Sequence, residues 1–559
     1  MKAYKYRINE IKTDIDVPMD QLPAIIARRT GISTGDILRW EVRRKSIDSR
    51  KKPHIQYVYT ADFVTEKKLP TEADTGSRGR GKGSRRAGTG RRPVHGLNLV
   101  DEESEKITPP EAGKGRLAGR PVIVGMGPCG LFAGLELAKL GYKPLIIERG
   151  PAMEDRVSAV EKFRQDHVLD PEANMLFGEG GAGTFSDGKI GTGIRDGLIR
   201  QVLAEFRDAG AGDEIMYLAK PHIGTDVLRT VIVNMRKKVE ELGGEIRFNT
   251  RLDDLIVEDG TLAGIRVAPS VQEAGQAEII HTSALILAAG HSARDTFAMI
   301  HEAGLDMEQK PFSIGVRMEH PQRMIDEAQY GEENAERFAG DALIAEEKPG
   351  MLPPADYKIS YKASNGRGVY SFCMCPGGEV VVCTTAEGEL CVNGMSDRRR
   401  NSGTANSGIL CDVRPEDFGS DDVLAGVRYQ EKYERLAFEN GGGGFAPPKC
   451  RMEDFLAGTE KAEPVISSLP EHAADALREA VPVFGRRIRG YDRADAVVTA
   501  VETRSSSPVR ILRDENGESN IRGIYPAGEG AGYAGGITSA AIDGIRAAWH
   551  IVEKYAPLG

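Results

Sequence analysis

Apolar and polar residues alternate over residues 4–11, as in a half-buried strand. A helical period follows over 20–29 and stops at Gly31, where a left-handed turn suits glycine. Two more strand-like runs cover 37–44 and 54–64, separated by the polar stretch 45–52. The order βαββ predicts a small α+β domain over 1–64. From residue 65 the periodicity disappears, and 76–92 is mostly Gly, Ser, Arg and Lys, which bury too little to offset chain entropy. Residues 65–118 are therefore expected to be a disordered, basic, glycine-rich linker. Short apolar strands alternating with helical periods then run over 119–311 and return over 482–559, the pattern of a doubly wound parallel sheet. Between them, over 312–481, that alternation stops. Strand-like 368–373 and 379–384 and helical 423–440 and 473–480 predict a mixed α+β cap inserted into the α/β domain, with a substrate pocket between the two. No internal repeat of solenoid or propeller length is present.

The chemistry begins at Val122-Ile123-Val124, a short buried strand leading into Gly125-Met126-Gly127-Pro128-Cys129-Gly130. In this spacing Gly125 makes the tight turn, Gly127 lets the backbone approach a pyrophosphate and Gly130 lets the next helix pack on the strand. That helix is expected over 131–140, with Gly134 and Ala138 thinning one face, and Gly141 ends it. Its amino-terminal N–H groups supply an anion site. A second strand over 144–148 then carries Glu148 at its carboxyl end, where ribose hydroxyls are expected, with Arg149 beside it. Strand, glycine loop, helix, strand and acid in this order predict a dinucleotide site. The spacing does not separate FAD from NAD.

The far end of the chain makes that distinction. Residues 524–530 form a strand running into Gly528-Glu529-Gly530, and Gly535-Gly536-Ile537-Thr538-Ser539 opens a last helix. This resembles the second FAD motif of the glutathione-reductase-like superfamily. The resemblance implies that Glu529, where the superfamily usually has Asp, approaches the ribityl and pyrophosphate. It also implies that the helix start at Gly536, Ile537 and Thr538 faces the flavin pyrimidine. Residues 284–290, ending in Gly290, resemble the strand that closes this fold, and 243–267 reads as the small hairpin region between its halves. The run Asn174 to Lys189, with Pro221 to Asp226, Gly290 to Thr296, Ser313 to Pro321, Phe372 to Gly378 and Glu502 to Arg510, resembles a bacterial family of uncharacterised FAD-dependent, NAD(FAD)-utilizing dehydrogenase-like proteins. Membership implies FAD and redox chemistry with no defined substrate. Within 178–191, the unhindered amides around Gly181, Ala182, Gly183 and Thr184, followed by Ser186, Asp187 and Lys189, suit a loop over phosphate and ribityl. An ordinary flexible turn is the competing reading. Lys189 is expected at the pyrophosphate or at the flavin N1 or N5 edge.

Composition sets the class. The chain has 559 residues, 40% apolar, enough for two or three packed domains. Its start holds no apolar stretch of signal-peptide length, so a cytoplasmic protein is expected. Seven cysteines without Cys-x-x-Cys spacing argue for reduced thiols and against a zinc site. Of the net charge of −9, residues 1–100 carry a surplus of +11, leaving −20 for the rest.

Hydride transfer to a flavin needs positioning more than acid–base apparatus, so the catalytic candidates are few. His291, Arg294 and Asp295 follow a strand end and suit substrate orientation or proton relay, with loop-stabilising bonds as the alternative. Cys373 and Cys375 raise a thiol–disulfide reading, against that of small buried hydrophobes. Glu502, Arg504 and Arg510 suit an anionic substrate or an internal ion pair. No second strand-glycine-helix-acid unit is present for a nicotinamide, so NAD(P)H is expected only as a transient partner. The sequence therefore predicts an FAD-dependent oxidoreductase with an unidentified small-molecule substrate. Two alternatives stand beside it: a flavin-dependent RNA-modifying enzyme using the basic amino-terminal region, and a flavin-bearing scaffold without turnover.

Overall fold

The computed structural model describes residues 2–71, 94–101, 107–270 and 276–558. The amino-terminal unit is an antiparallel sheet in the order Arg39–Asp48, Gln56–Thr65, Tyr4–Asp14, Leu97–Leu99, with the helix Leu22–Thr30 ended by Gly31 at φ 70°. Tyr6, Ile8, Tyr59, Ala61 and Phe63 form its buried face. The polar stretch after residue 44 is strand rather than turn, because the register carries on through Lys45↔Tyr59 to Asp48↔Gln56. The Lys45 N–H also reaches outward to the Tyr217 carbonyl, 2.6 Å away. Lys45 and Asp48 are half-buried there, Lys45 lying over the Tyr57 ring at 4.1 Å, while the backbone pairs.

The expected linker is structured at both ends. Leu97–Leu99 pairs with Tyr6–Ile8, Leu69 is buried, and the N–H groups of Gly113 and Gly115 donate to Val552 and Lys554. Residues 72–93 and 102–106, which carry most of the predicted disorder, lie outside the described residues.

Five parallel strands follow in the order Ile524–Pro526, Leu285–Leu287, Val122–Val124, Leu145–Ile147, Glu245–Arg247. The three inner strands are apolar throughout, as a sheet covered on both faces requires. The helices Pro128–Lys139 and Ile537–Lys554 cross over it in close contact. A side chain at Gly130 would overlap the Gly125 carbonyl, and one at Gly544 would overlap that of Cys129. Glu245–Arg247, expected in a hairpin, is instead the edge strand of this sheet. The antiparallel unit beside it is Thr250–Glu258, Thr261–Pro269 and Glu278–His281. The fold is a Rossmann-type α/β domain with an inserted α+β unit, as the pattern predicted.

That insert is a six-stranded sheet in the order Ser360–Lys362, Gly368–Cys375, Thr404–Val413, Phe312–Pro321, Val497–Glu502, Lys449–Arg451. Its neighbouring pairs are antiparallel. Val497–Glu502 thus belongs to the cap although it lies beyond the expected boundary at 481. One apolar cluster runs from the amino-terminal sheet through this cap, joining Tyr6 and Phe63 to Val316 and Phe484. The basic domain is packed onto the body. Among the described residues, no helix is long and apolar enough to cross a membrane.

Candidate functional site

The carboxyl ends of the parallel strands and the near face of the cap enclose a cleft of about 670 Å³. Its first wall is backbone. Gly125 sits at φ 96°, and a Cβ there would overlap the Ala288 carbonyl. Gly127 is different: its φ of −71° suits any residue, and a Cβ would meet only the Gly181 Cα, at 3.8 Å. The space over Gly127 is open cleft, a cradle that any side chain would fill. The helix that follows starts at Pro128 with no side-chain cap, so its first N–H groups are left for a ligand. The last helix starts at Ile537 after an equally uncapped Gly536. Two helix starts and two apposed glycines fit a pyrophosphate-bearing dinucleotide.

Around this cradle stand Cys129, Ala182, Gly183, Gly290 and Gly528, as expected. Glu148 also lines the cleft, and its carboxylate accepts from the N–H groups of Met126, Gly150 and Gly178 at 2.8–3.0 Å. It ties three loops together at the edge of the cleft. Arg149 lies over the Phe177 ring at 4.2 Å and pairs with Glu172 and Asp295, which accounts for Asp295 as a partner of Arg149. Three expected contacts are not on the wall. Gly130 is packed beneath the loop. The Thr184 carbonyl accepts from the Thr225 hydroxyl, and the Thr538 hydroxyl donates to the Ile190 carbonyl at 2.6 Å. These two threonines lock the glycine loop and the last helix in place.

The run after Gly183 is ordered by charge. Ser186 closes a turn onto the Gly183 carbonyl at 2.7 Å. Asp187 is buried, bonded to Ser396, paired with Arg400 and 3.1 Å from Lys189. Burial alone would raise its carboxyl, but Arg400 and Lys189 hold it well below the usual range. Burial likewise pulls Lys189 down, and Asp187 more than offsets it, so the ammonium stays charged on the cleft wall. Burial, with Arg400, drives His222 down to about 3, so it is neutral.

Across the cradle, His291 Nε2 lies 3.8 Å from Glu529 Oε1. Burial pushes Glu529 up to about 7, and burial with Arg504 and Arg294 pushes His291 down to about 4. The His291 Nδ1 is buried without a partner. A neutral imidazole beside a carboxyl that titrates near neutrality can hold and move a proton.

The second wall comes from the cap and is built of side chains, among them Tyr357, Phe372, Cys373, Asn393 and Arg504. Cys373 lies at φ 40°, where the register slips between Phe372 and Cys375. Its side chain opens to the cleft, and burial pushes the thiol up to about 12 despite Lys189 and Arg317. Arg317, wholly buried, donates to the Cys373 carbonyl and to Asn393, both at 2.8 Å, and pairs with Glu502 at 2.7 Å.

Several candidates are corrected by these contacts. Arg294 turns away from the cleft to Glu434 and Glu389. Glu502 is the internal partner of Arg317, and Arg510 lies 3.6 Å from Glu308. Arg504 does reach the wall, with its guanidinium held by Glu434 at 2.7 Å. Cys373 and Cys375 are both free thiols. The Cys375 thiol donates to the Cys373 carbonyl at 3.2 Å and lies 3.8 Å from Lys189. Arg317, Tyr357, Asn393 and Arg400 escaped the sequence reading. Only Arg317 carried a signal, a charge near the end of the run 312–318, which is otherwise free of charged residues.

The chain is 40% identical to an uncharacterized protein of Clostridium beijerinckii over 566 positions, covering 98% of this chain and 99% of that one. Residues 311–505 match a family described as FAD-dependent protein, C-terminal domain-like, and residues 5–64 match a domain of unknown function. Solved structures with partial likeness include the flavin-dependent brominase Bmp2, at 14% identity over 77% of each chain with a TM-score of 0.35. Another is the 3-ketosteroid-delta4-(5alpha)-dehydrogenase of Rhodococcus jostii RHA1, at 13% identity over 78% of this chain and 96% of that one with a TM-score of 0.33. The matched domain and a cleft shaped for a dinucleotide identify FAD as the cofactor.

Proposed function

The chain belongs to the same family as its clostridial relative, and on that footing we propose that it is an FAD-dependent oxidoreductase of the dehydrogenase type. In this reading a small molecule would lie against the cap wall, opposite a non-covalent FAD that the first wall would hold. When bound, FAD supplies the two-electron chemistry. The observation that carries the proposal is the convergence of the open Gly127–Gly181 cradle and two uncapped helix starts on a cleft whose far wall is polar and rigid. The first wall grips the dinucleotide, and Lys189 sets a positive charge beside it. On the other side, Asn393 and the Cys373 bulge, both pinned by Arg317, shape the substrate position to the precision hydride transfer needs. His291 with Glu529 holds the proton that accompanies the hydride.

The test is anaerobic reduction of the purified protein by NADH, NADPH and a metabolite panel, followed through the visible flavin absorbance. A yellow protein whose FAD is released on denaturation and is bleached by at least one donor is expected. Colourless protein that cannot be reconstituted removes the FAD reading. Bound FAD that no donor reduces removes the oxidoreductase and leaves a scaffold.

A further inference from the structure

Behind the cap wall, the hairpin of Glu379–Cys383 and Cys391–Met395 brings two cysteines together. Cys383 and Cys391 are directly opposite in its register, and their sulfurs are 3.2 Å apart. Both are buried, at 4% and 1% exposure, in an apolar pocket that Met175, Leu176 and Phe185 complete from the FAD domain. The pair sits close to the cleft by two routes. Asn393 and Gly394, on the wall, follow Cys391 within three residues. Thr385, two residues after Cys383, accepts a hydrogen bond at 3.2 Å from Arg504, itself on the wall.

We propose that Cys383 and Cys391 form a redox-active dithiol, which hydrogen peroxide converts into a cross-strand disulfide at the back of the cleft. In the first step the Cys383 sulfur displaces water from the peroxide, giving a sulfenic acid and one water. In the second the Cys391 sulfur displaces a second water from that sulfenic acid, and the disulfide forms. Two thiols are oxidised by two electrons while one peroxide is reduced to two waters.

The roles follow from the contacts. The Cys391 thiol lies 2.9 Å from the Cys383 carbonyl oxygen as well as beside the Cys383 sulfur. Burial and the neighbouring Cys383 hold its proton well above the ordinary thiol value, so Cys391 is the donor and Cys383 the attacking sulfur. A disulfide bond of about 2.05 Å asks the two sulfurs to close by roughly 1 Å, and directly opposite residues of paired strands already carry their side chains side by side on one face of the sheet. Peroxide suits the site because it is neutral and close to water in size, whereas a bulky disulfide cannot enter so closed a pocket. Cys373 is the most open thiol on the cleft, and the thiol of its neighbour Cys375 is turned to the Cys373 carbonyl at 3.2 Å. The inference is independent of the substrate.

The experiment treats the reduced, full-length protein with hydrogen peroxide, alkylates it under denaturing conditions and maps its peptides. The expected result is the loss of two hydrogens from the intact mass, alkylation of all but two of the seven cysteines, a peptide joining Cys383 to Cys391, and full reversal by dithiothreitol. Cys383→Ser and Cys391→Ser each abolish the linked peptide, and the wild-type map stands as evidence even if a variant folds poorly. Seven alkylated cysteines after treatment, a link between any other pair, or oxygen added to Cys373 in place of the link would each overturn the proposal.

Discussion

The two walls of the cleft are built on opposite principles. The FAD-domain wall is backbone: glycines at 125, 127 and 181 and two helix starts without side-chain caps, all supplied by short contiguous stretches of chain. The cap wall is side chain, held by ion pairs between residues far apart in sequence, such as Arg317 with Glu502 and Arg504 with Glu434. A backbone wall can accept one kind of ligand whatever the cap presents, whereas a side-chain wall is free to be specific. In the proposed function, this contrast would give cofactor binding to the first wall and substrate choice to the second.

The largest expected effect separates space from folding on the first wall. Gly127→Val should fold, since its φ is ordinary and a Cβ meets no protein atom closer than 3.8 Å, and yet retain no FAD, since the side chain fills the pyrophosphate cradle. Gly125→Val should fail at folding itself, through φ 96° and the Ala288 carbonyl. Flavin content and thermal melting of the two proteins check this. Wild-type flavin content in folded Gly127→Val would show that the cradle is misplaced.

On the second wall the expected loss is stability. Arg317→Leu strands Glu502 at 3% exposure without its counter-ion, and breaking such a pair from one side costs about 3–5 kcal/mol. Denaturant unfolding measures it. A loss well below that range would mean that the cap wall tolerates an unpaired carboxylate and is less rigid than its contacts imply.

These two walls also explain what the sequence disclosed. Gly125, Gly127 and Gly130 are legible because a tight turn, a close approach and a packed helix need glycine at fixed short intervals, and Glu148 follows at a fixed distance. Four of the five parallel strands were legible as short apolar runs, whereas Glu245–Arg247, charged at both ends, was expected in a hairpin. Arg317 and Glu502, 185 positions apart, are joined only by the pairing of two strands, and no spacing rule connects them. For the same reason the sequence left Glu502, Arg294 and Arg510 open between substrate contact and internal pairing until their partners were placed. Lys45 to Asp48 read as a turn because its side chains are polar, while its backbone obeys the register of the neighbouring strand.

The Glu529–His291 pair lies on the FAD-domain wall of the cleft, and pH should reveal it. Folding keeps the Glu529 proton to about 7 against an ordinary value of 4.5. Across that window the native state binds more protons than the unfolded one, so this group's contribution to stability is lost as pH rises. The loss is on the order of 2–3 kcal/mol between pH 4.5 and 7. In flavin-stripped protein, Glu529→Gln should therefore gain stability relative to wild type as pH rises through that window. A difference that does not change with pH would mean that Glu529 is ionised throughout and cannot share the proton.

The smallest effect tests whether the cap wall holds strain at the one thiol it opens to the cleft. At φ 40° Cys373 occupies a region where a Cβ crowds the backbone, at an expense of about 1 kcal/mol that glycine avoids. The bulge is held from behind by Arg317, which donates to the Cys373 carbonyl rather than to its side chain, so removing the thiol leaves the anchor in place. Cys373→Gly should thus raise stability by roughly 0.5–1 kcal/mol in denaturant unfolding, with FAD content unchanged because the cradle is on the other wall. Cys373→Ala keeps the Cβ and should show no such gain. If both variants were equally stabilised, relief of the positive φ would not be the cause, and the cap wall would owe its shape to packing of the thiol and not to the bulge beneath it.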